Sequence, residues 1–417
     1  MERIFVQIAA YRDPELIPTI EHMIKFAKHP ENLRLSIVRQ YHPDDKFDDL
    51  TEYENDDRFR IVNIPYQDAR GVCWARHLTQ ESYEGEEYTL QIDSHMRFVK
   101  DWDEIAIKMI KQLQDKGHKK PLLTGYVSSY DPENDPQGRI TVPWRMVFDR
   151  FIPEGAVFFL PETIPDWSEL NEPVPSRFYS AHFTFTLGKF SKEVRHDPEF
   201  YFHGEEISIA VRAYTHGYDL FHPHRIIAWH EYTRKGRTKH WDDNSKWGDM
   251  NSKSHSKNRR LFGMDGETYD KEEFGEYGFG KVRTLREYEK YAGLLFSERA
   301  VQQHTLDKQY PPSLIEYENE EDWLNSFARI FKHCIDVDYK LVPEKDYDFW
   351  AVAFHDENDE TIYRQDLNKD EIIRLLNDPD GYGKLWREFQ TDKNPKYWVV
   401  WPHSESKGWC ERLTGNL

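Results

Sequence analysis

The opening of the chain alternates apolar β-prone runs with helix-patterned stretches, and that alternation leaves few folds open. Ile4 to Ala10 reads as a strand buried on both faces. Tyr11-Arg12-Asp13-Pro14 then turns into a helix reaching about Lys28, with Asp13 predicted as N-cap and Pro14 in the first helical position. Leu16, Ile20, Met23, Ile24 and Ala27 follow near helical spacing. Further strands are predicted at 33–38, 59–64 and 87–92, the last preceded by a helix from about Gly71. Strand, helix and strand at this pace predict a parallel α/β sheet with right-handed crossovers. Such sheets bind ligands outside the carboxyl ends of their strands.

The pattern continues with a helix at 102–113 and a strand at 121–126. A loop-rich zone follows at 131–177, then an apolar run at 183–190 expected to flank the cleft. Residues 232–265 turn basic and polar, reading as a solvated loop or as a lid over phosphates, and a helix is predicted at 282–292. A boundary falls near Tyr310-Pro311-Pro312, dividing a main domain (1–300) from a small α+β or β appendage (313–417). The appendage is expected to hold a helix at 321–330 and strands at 349–354, 361–363 and 397–401. Trp350, Trp398, Trp401 and Trp409 are read chiefly as its core, with a carbohydrate platform as the other reading.

Composition narrows the partners. A net charge of −19 disfavours broad attraction to nucleic acid or to an anionic membrane. No apolar run approaches the ~20 residues that span a bilayer, and Met1-Glu2-Arg3 leads into a strand rather than a signal peptide. Cys73, Cys334 and Cys410 are odd in number and far apart, against a disulfide framework. A cytoplasmic protein is expected.

Chemistry concentrates in three places. Asp93-Ser94-His95 ends the strand at 87–92, and residues i and i+2 at a strand end project to one side. An oxygen and a nitrogen ligand there suit Mn²⁺ or a similar cation, which can hold the diphosphate of a nucleotide-sugar. The plainer alternative is an Asx-type turn with His95 exposed. Phe202-His203-Gly204-Glu205-Glu206 precedes an amphipathic helix, with both carboxylates in its first turn, where the helix dipole favours them. The apolar run 225–229 ends in His230-Glu231-Tyr232, again a metal-capable residue past a strand. His222 and His224, split by Pro223, read as turn residues.

The runs Val6 to Pro14, Gly71 to Arg76, Leu90 to Phe98 and Phe202 to Glu206 resemble the cytoplasmic polypeptide N-acetylglucosaminyltransferases, which modify hydroxyproline of a Skp1-type protein. More distantly they are similar to the polypeptide GalNAc-transferases, which share an Asp-x-His motif. The resemblance spans roughly residues 3 to 265. It implies a GT-A (Rossmann-like) fold, a UDP-sugar donor, Mn²⁺ and retention of anomeric configuration. It also implies Asp93, His95 and His230 as metal ligands and Arg234 facing the diphosphate. Glu205 or Glu206 takes the acidic position ahead of the helix. Within that frame Ala10, Tyr11 and Arg12 lie where uridine would stack and bond. Arg70, Gly71, Arg76 and Ser94 lie where ribose or diphosphate would be met. The acceptor hydroxyl stays open among protein, glycan and modified base, the charge balance disfavouring the last. Two other classes remain: a metal-dependent phosphoesterase using Asp93, His95, His203 and His230, and a non-catalytic sugar-binding protein on a transferase scaffold.

Overall fold

Strand β1 (Ile4–Tyr11) lies between two parallel neighbours, β2 (Leu33–Tyr41) and β4 (Tyr88–Asp93), with Ile8 level with both Ile37 and Ile92. Its side chains are covered on both faces, which is why it reads as an unbroken apolar run. A computed structural model describes residues 2–377, 382–391 and 393–417. Beyond β2 comes β3 (Phe59–Pro65), also parallel. On the other side follow β11 (Phe183–Leu187), β6 (Pro121–Thr124), β12 (Asp219–His222) and β10 (Val174–Pro175), completing an eight-stranded sheet. Two apolar cores coat its faces. Helices α1 (Leu16–Phe26) and α3 (Trp102–Asp115) bury Ile20, Met23, Trp102 and Ile110 in one. Helix α2 (Val72–Gln80), the short α4 (Phe190–Glu193) and α5 (Glu205–Thr215) give Cys73, Phe190, Ile207 and Val211 to the other. Leu123 and Phe221 face the first core while Leu122 and Leu220 face the second, the period of two that a sheet covered on both faces requires.

A small second sheet sits at the carboxyl edge. β13 (Ala228–His230) is antiparallel to β5 (Met96–Phe98) and parallel to β7 (Ser128–Ser129). The expected α/β architecture is present, with four differences. The sheet is mixed, because β11 runs antiparallel between β4 and β6. Strand direction depends on how a connection closes, and the apolar run 183–190 carries no sign of it. Within 131–177 lies a hairpin, β8 (Trp144–Phe151) and β9 (Val157–Thr163). The basic stretch contains the short α6 (His240–Asp243) and the sixteen-residue α7 (Trp247–Phe262). That helix escapes a hydrophobic-period reading because it buries Ser254, His255, Lys257 and Asn258. Asn258 bonds the Gly155 carbonyl at 3.0 Å, and Lys257 pairs with Asp197 at 2.6 Å. Finally, α1 starts at Leu16, so Asp13 precedes the cap position and accepts the Glu15 N–H at 2.9 Å.

Past Pro312 a separate core gathers Ile335, Val337, Trp350, Val352, Phe354 and Val400. It lies under a sheet built on Tyr347–His355 and Tyr397–Ser404, beside an antiparallel ribbon of Ile330–Asp338 and Tyr382–Gln390. The helix expected at 321–330 is shorter, Glu320–Asn325. Trp350 is wholly buried and Trp398 partly so, whereas Trp401 and Trp409 stay exposed with ring centroids 4.4 Å apart. Lys332 of the ribbon pairs with Asp149 of β8 at 2.7 Å. The Arg150 guanidinium lies over both Phe158 (4.4 Å) and Trp386 (5.3 Å). Among the described residues no helix is long and apolar enough to cross a membrane.

Candidate functional site

Asp93 closes β4, Ser94 makes the turn and His95 leads into β5. Because Met96 of β5 is level with His230 of β13, pairing of the small sheet brings His230 beside His95, with ring centroids 4.6 Å apart. Asp93 Oδ2 lies 3.6 Å from His95 Nε2 and 3.3 Å from His230 Nε2. One donor atom from each of Asp93, His95 and His230 falls within 4.8 Å of the others. Among the described residues this is the group of His, Cys, Asp and Glu able to hold a metal, and His203 is not in it. A carboxylate oxygen with two imidazole nitrogens fits a borderline divalent cation.

The surroundings prepare these donors. His95 Nδ1 lies 2.7 Å from Asp13 Oδ2, which Ser94 Oγ also reaches at 2.7 Å. A carboxylate behind an imidazole fixes the tautomer that leaves Nε2 as the ligand atom. Burial raises the Asp13 carboxyl, but His95, Arg237 and Ser94 outweigh it and hold it at about 2. Arg237 reaches in from the basic segment to Asp13 (3.2 Å), Glu231 (2.5 Å) and the His95 ring, its side chain only 9 % exposed. Burial also opposes ionisation of Asp93. The His230 hydrogen bond and the Arg76 and His95 charges reverse that and hold it well below the usual carboxylate range. Burial pushes His230 down to about 4, so its imidazole is neutral and fit to ligate.

Arg76 on α2 connects the trio to the second acidic cluster, 2.9 Å from Asp93 Oδ1 and 3.5 Å from Glu205 Oε1. Glu205 and Glu206 open α5 behind Gly204, whose φ of +96° and closeness to Asn258 suit glycine. Burial, with the neighbouring Glu206 charge, pushes the Glu205 carboxyl well above the usual carboxylate range. Glu206 is also raised by burial, yet it accepts the Ala181 N–H at 2.9 Å and the Tyr126 hydroxyl at 3.3 Å. His182 stacks on His230 (4.3 Å, 23°) and Tyr126 stacks on His182 (5.1 Å, 30°), forming a column of rings beside the metal donors.

These groups line one cavity of about 480 Å³ at the carboxyl ends of β1 and β4. Of the residues singled out in the sequence, Tyr11, Gly71, Arg76, Asp93, Ser94, His95, Glu205, Glu206, His230 and Arg234 line it. Gly71, at φ +104°, admits the Tyr201 ring where a Cβ would stand 2.7 Å from it. Tyr11 donates to Asp243 at 2.8 Å and meets His240 edge-on. Arg234 lies over Phe202 and Trp241. Three others lie elsewhere. Ala10 is buried in the sheet core, and Ala9 lines the cavity in its place. Arg12 is held by Asp45 (2.7 Å) and Asp243 (2.9 Å) beside the cavity, and exposed Arg70 rests on Trp74. The sequence reading gave Asp13 only a capping role, counted Arg237 among loop charges and passed over His182 and Tyr126.

The fold and its donors define an α/β protein with a metal-capable cavity at its strand ends, where sheets of this kind bind ligands. The family model for glycosyltransferases (GlcNAc) matches residues 3–53 and 46–298, more than half of the 417, and the chain belongs to that family. No curated protein matches the sequence. Among solved structures it is similar to GalNAc-T7 with UDP, GalNAc and Mn²⁺ (12 % identity, TM-score 0.49, 69 % of this chain and 56 % of that one). It is also similar to S. aureus TarS with UDP-GlcNAc (14 %, 0.36, 58 % and 61 %). A third is the mannosyltransferase PcManGT from Pyrobaculum calidifontis with GDP-Man and Mn²⁺ (11 %, 0.35, 56 % and 58 %). The chain thus spans less than two thirds of each.

Proposed function

We propose that the chain transfers GlcNAc from UDP-GlcNAc to a hydroxyl acceptor, with retention and with a divalent cation such as Mn²⁺. The observation that carries this reading is the convergence of Asp93, His95 and His230 on one wall of the cavity in a member of the GlcNAc glycosyltransferase family. Residues 1–300 form the GT-A transferase domain in this reading and 313–417 an accessory domain. The acceptor follows the Skp1-type resemblance, a polypeptide hydroxyproline in the cytoplasm.

Asp93, His95 and His230 would hold the cation, which when bound neutralises charge on the departing diphosphate. Arg234 offers its guanidinium group to the same phosphates, while Arg237 braces Asp13 and Glu231 behind the donors. Arg76 keeps Asp93 ionised, and Tyr11 with His240 frames the nucleoside end. Transfer breaks the bond from the anomeric carbon to the β-phosphate oxygen and forms one to the acceptor oxygen. The acceptor proton passes to the phosphate oxygen. Retention follows the family resemblance, and it requires no base opposite the leaving group.

The test is UDP release from a panel of UDP-sugars, with Mn²⁺ and with EDTA, alongside Mn²⁺ binding followed by electron paramagnetic resonance. Release with UDP-GlcNAc, absent in EDTA and in Asp93→Ala, is expected. Asp13→Asn is expected to weaken Mn²⁺ about 10- to 100-fold through His95 while the fold persists. Mn²⁺ binding that is indifferent to both substitutions would move the cation elsewhere, and phosphate release without UDP-sugar specificity would favour the hydrolase.

A further inference from the structure

Where the segment leading to the second domain crosses the edge of the main sheet, a small polar cavity separate from the first holds more positive charge than its carboxylates balance. It measures about 10 Å³ and is lined by Arg145, Arg177, His222, Lys308, Gln309 and Tyr310 among others. Arg177 is only 7 % exposed, and among the described residues no carboxylate pairs with it. Its Nε donates to the Ala292 carbonyl at 2.9 Å, its Nη1 donates to the Gln309 carbonyl, and its Nη2 is buried with no partner at all. Glu162 is the one carboxylate given to the other two cations, 2.7 Å from both Arg145 and Lys308. Three cations therefore share a single anion. A buried charge is ordinarily paired, and an orphaned guanidinium nitrogen costs the full loss of its hydration.

We infer that this cavity is a binding site for a monoatomic anion, chloride being the common one. The space is on the scale of one small sphere, which suits a compact anion held by several cations better than a branched one. Bound there, the anion supplies the charge that Arg177 lacks and lies against Gln309 and Tyr310, so it fastens the connector to the sheet edge. Burial, aided by the Arg145 charge, lowers Arg177 to about 10, consistent with a cation awaiting a counter-charge.

The experiment is thermal unfolding of the full chain in sodium chloride and in sodium gluconate at equal ionic strength, with bromide-soaked crystals examined for anomalous scattering. Chloride at ten times its dissociation constant is expected to raise Tm by about 2 °C or more, and a bromide peak is expected between Arg145 and Arg177. Arg177→Met is prone to misfold, so Lys308→Met, at a half-exposed position, and Arg145→Met are the informative variants. Both are expected to fold and to lose the difference between salts. Equal Tm values in the two salts, a difference that survives in both variants, or crystals with no bromide in the cavity would each overturn the site.

Discussion

At Glu205, burial beside a second carboxyl stores a proton that the unfolded chain does not keep. Burial and the Glu206 charge raise the group in the fold above the 4.5 of the free side chain. Between the free and the raised value the folded chain binds more protons than the unfolded one, so stability falls as pH rises through the window and is fully restored below it. Glu205→Gln cannot ionise. In metal-free protein, its Tm is expected to change less between pH 5 and pH 8 than that of the wild type; an unchanged pH slope would show that Glu205 carries no proton. Single residues differ in how far the sequence makes them visible. Asp93, His95 and His230 stand out because each follows an apolar run, and strand ends of parallel sheets are where ligands bind. Asp13 and His182 do not. Asp13 serves the site only because β1 and β4 are neighbours, and His182 only because β11 runs backwards, which places its first residues at the carboxyl end of β4.

At the scale of elements, the start of α5 is the most exacting junction. Gly204 adopts φ +96°, and an added Cβ would stand 3.1 Å from Asn258 of α7. Gly204→Ala therefore meets both backbone strain and a close neighbour, and a loss of about 1–3 kcal/mol is expected from urea denaturation. UDP affinity is expected to fall as well, since Glu205 and Glu206 move with the helix start. A variant as stable as wild type would mean that the turn relaxes without cost. The elements legible in the sequence are those with apolar periodicity, β1 to β4, β6, β11, α1 to α3 and α5. Those that were not share another kind of cohesion. Helix α7 is held by buried polar contacts such as Lys257 with Asp197, and the hairpin β8–β9 lies in a stretch whose Pro, Asp and Glu content masks its alternation.

For the whole molecule, the two principal cores of the main sheet and the separate core past Pro312 predict more than one cooperative unit. Calorimetry is expected to resolve two transitions. Lys332→Ala leaves the buried Asp149 carboxylate to Arg150 alone and is expected to lower the weaker transition by about 1–3 kcal/mol; a single sharp transition would instead mean that the domains melt as one. What joins them is the hairpin β8–β9. Phe158 forms part of the cavity wall, while Asp149 and Arg150, a few residues away, grip Lys332 and Trp386 of the C-terminal ribbon. Arg150 touches Phe158 and Trp386 alike, so the hairpin is a rigid strut between the cavity wall and the ribbon: neither end can shift without the other feeling it.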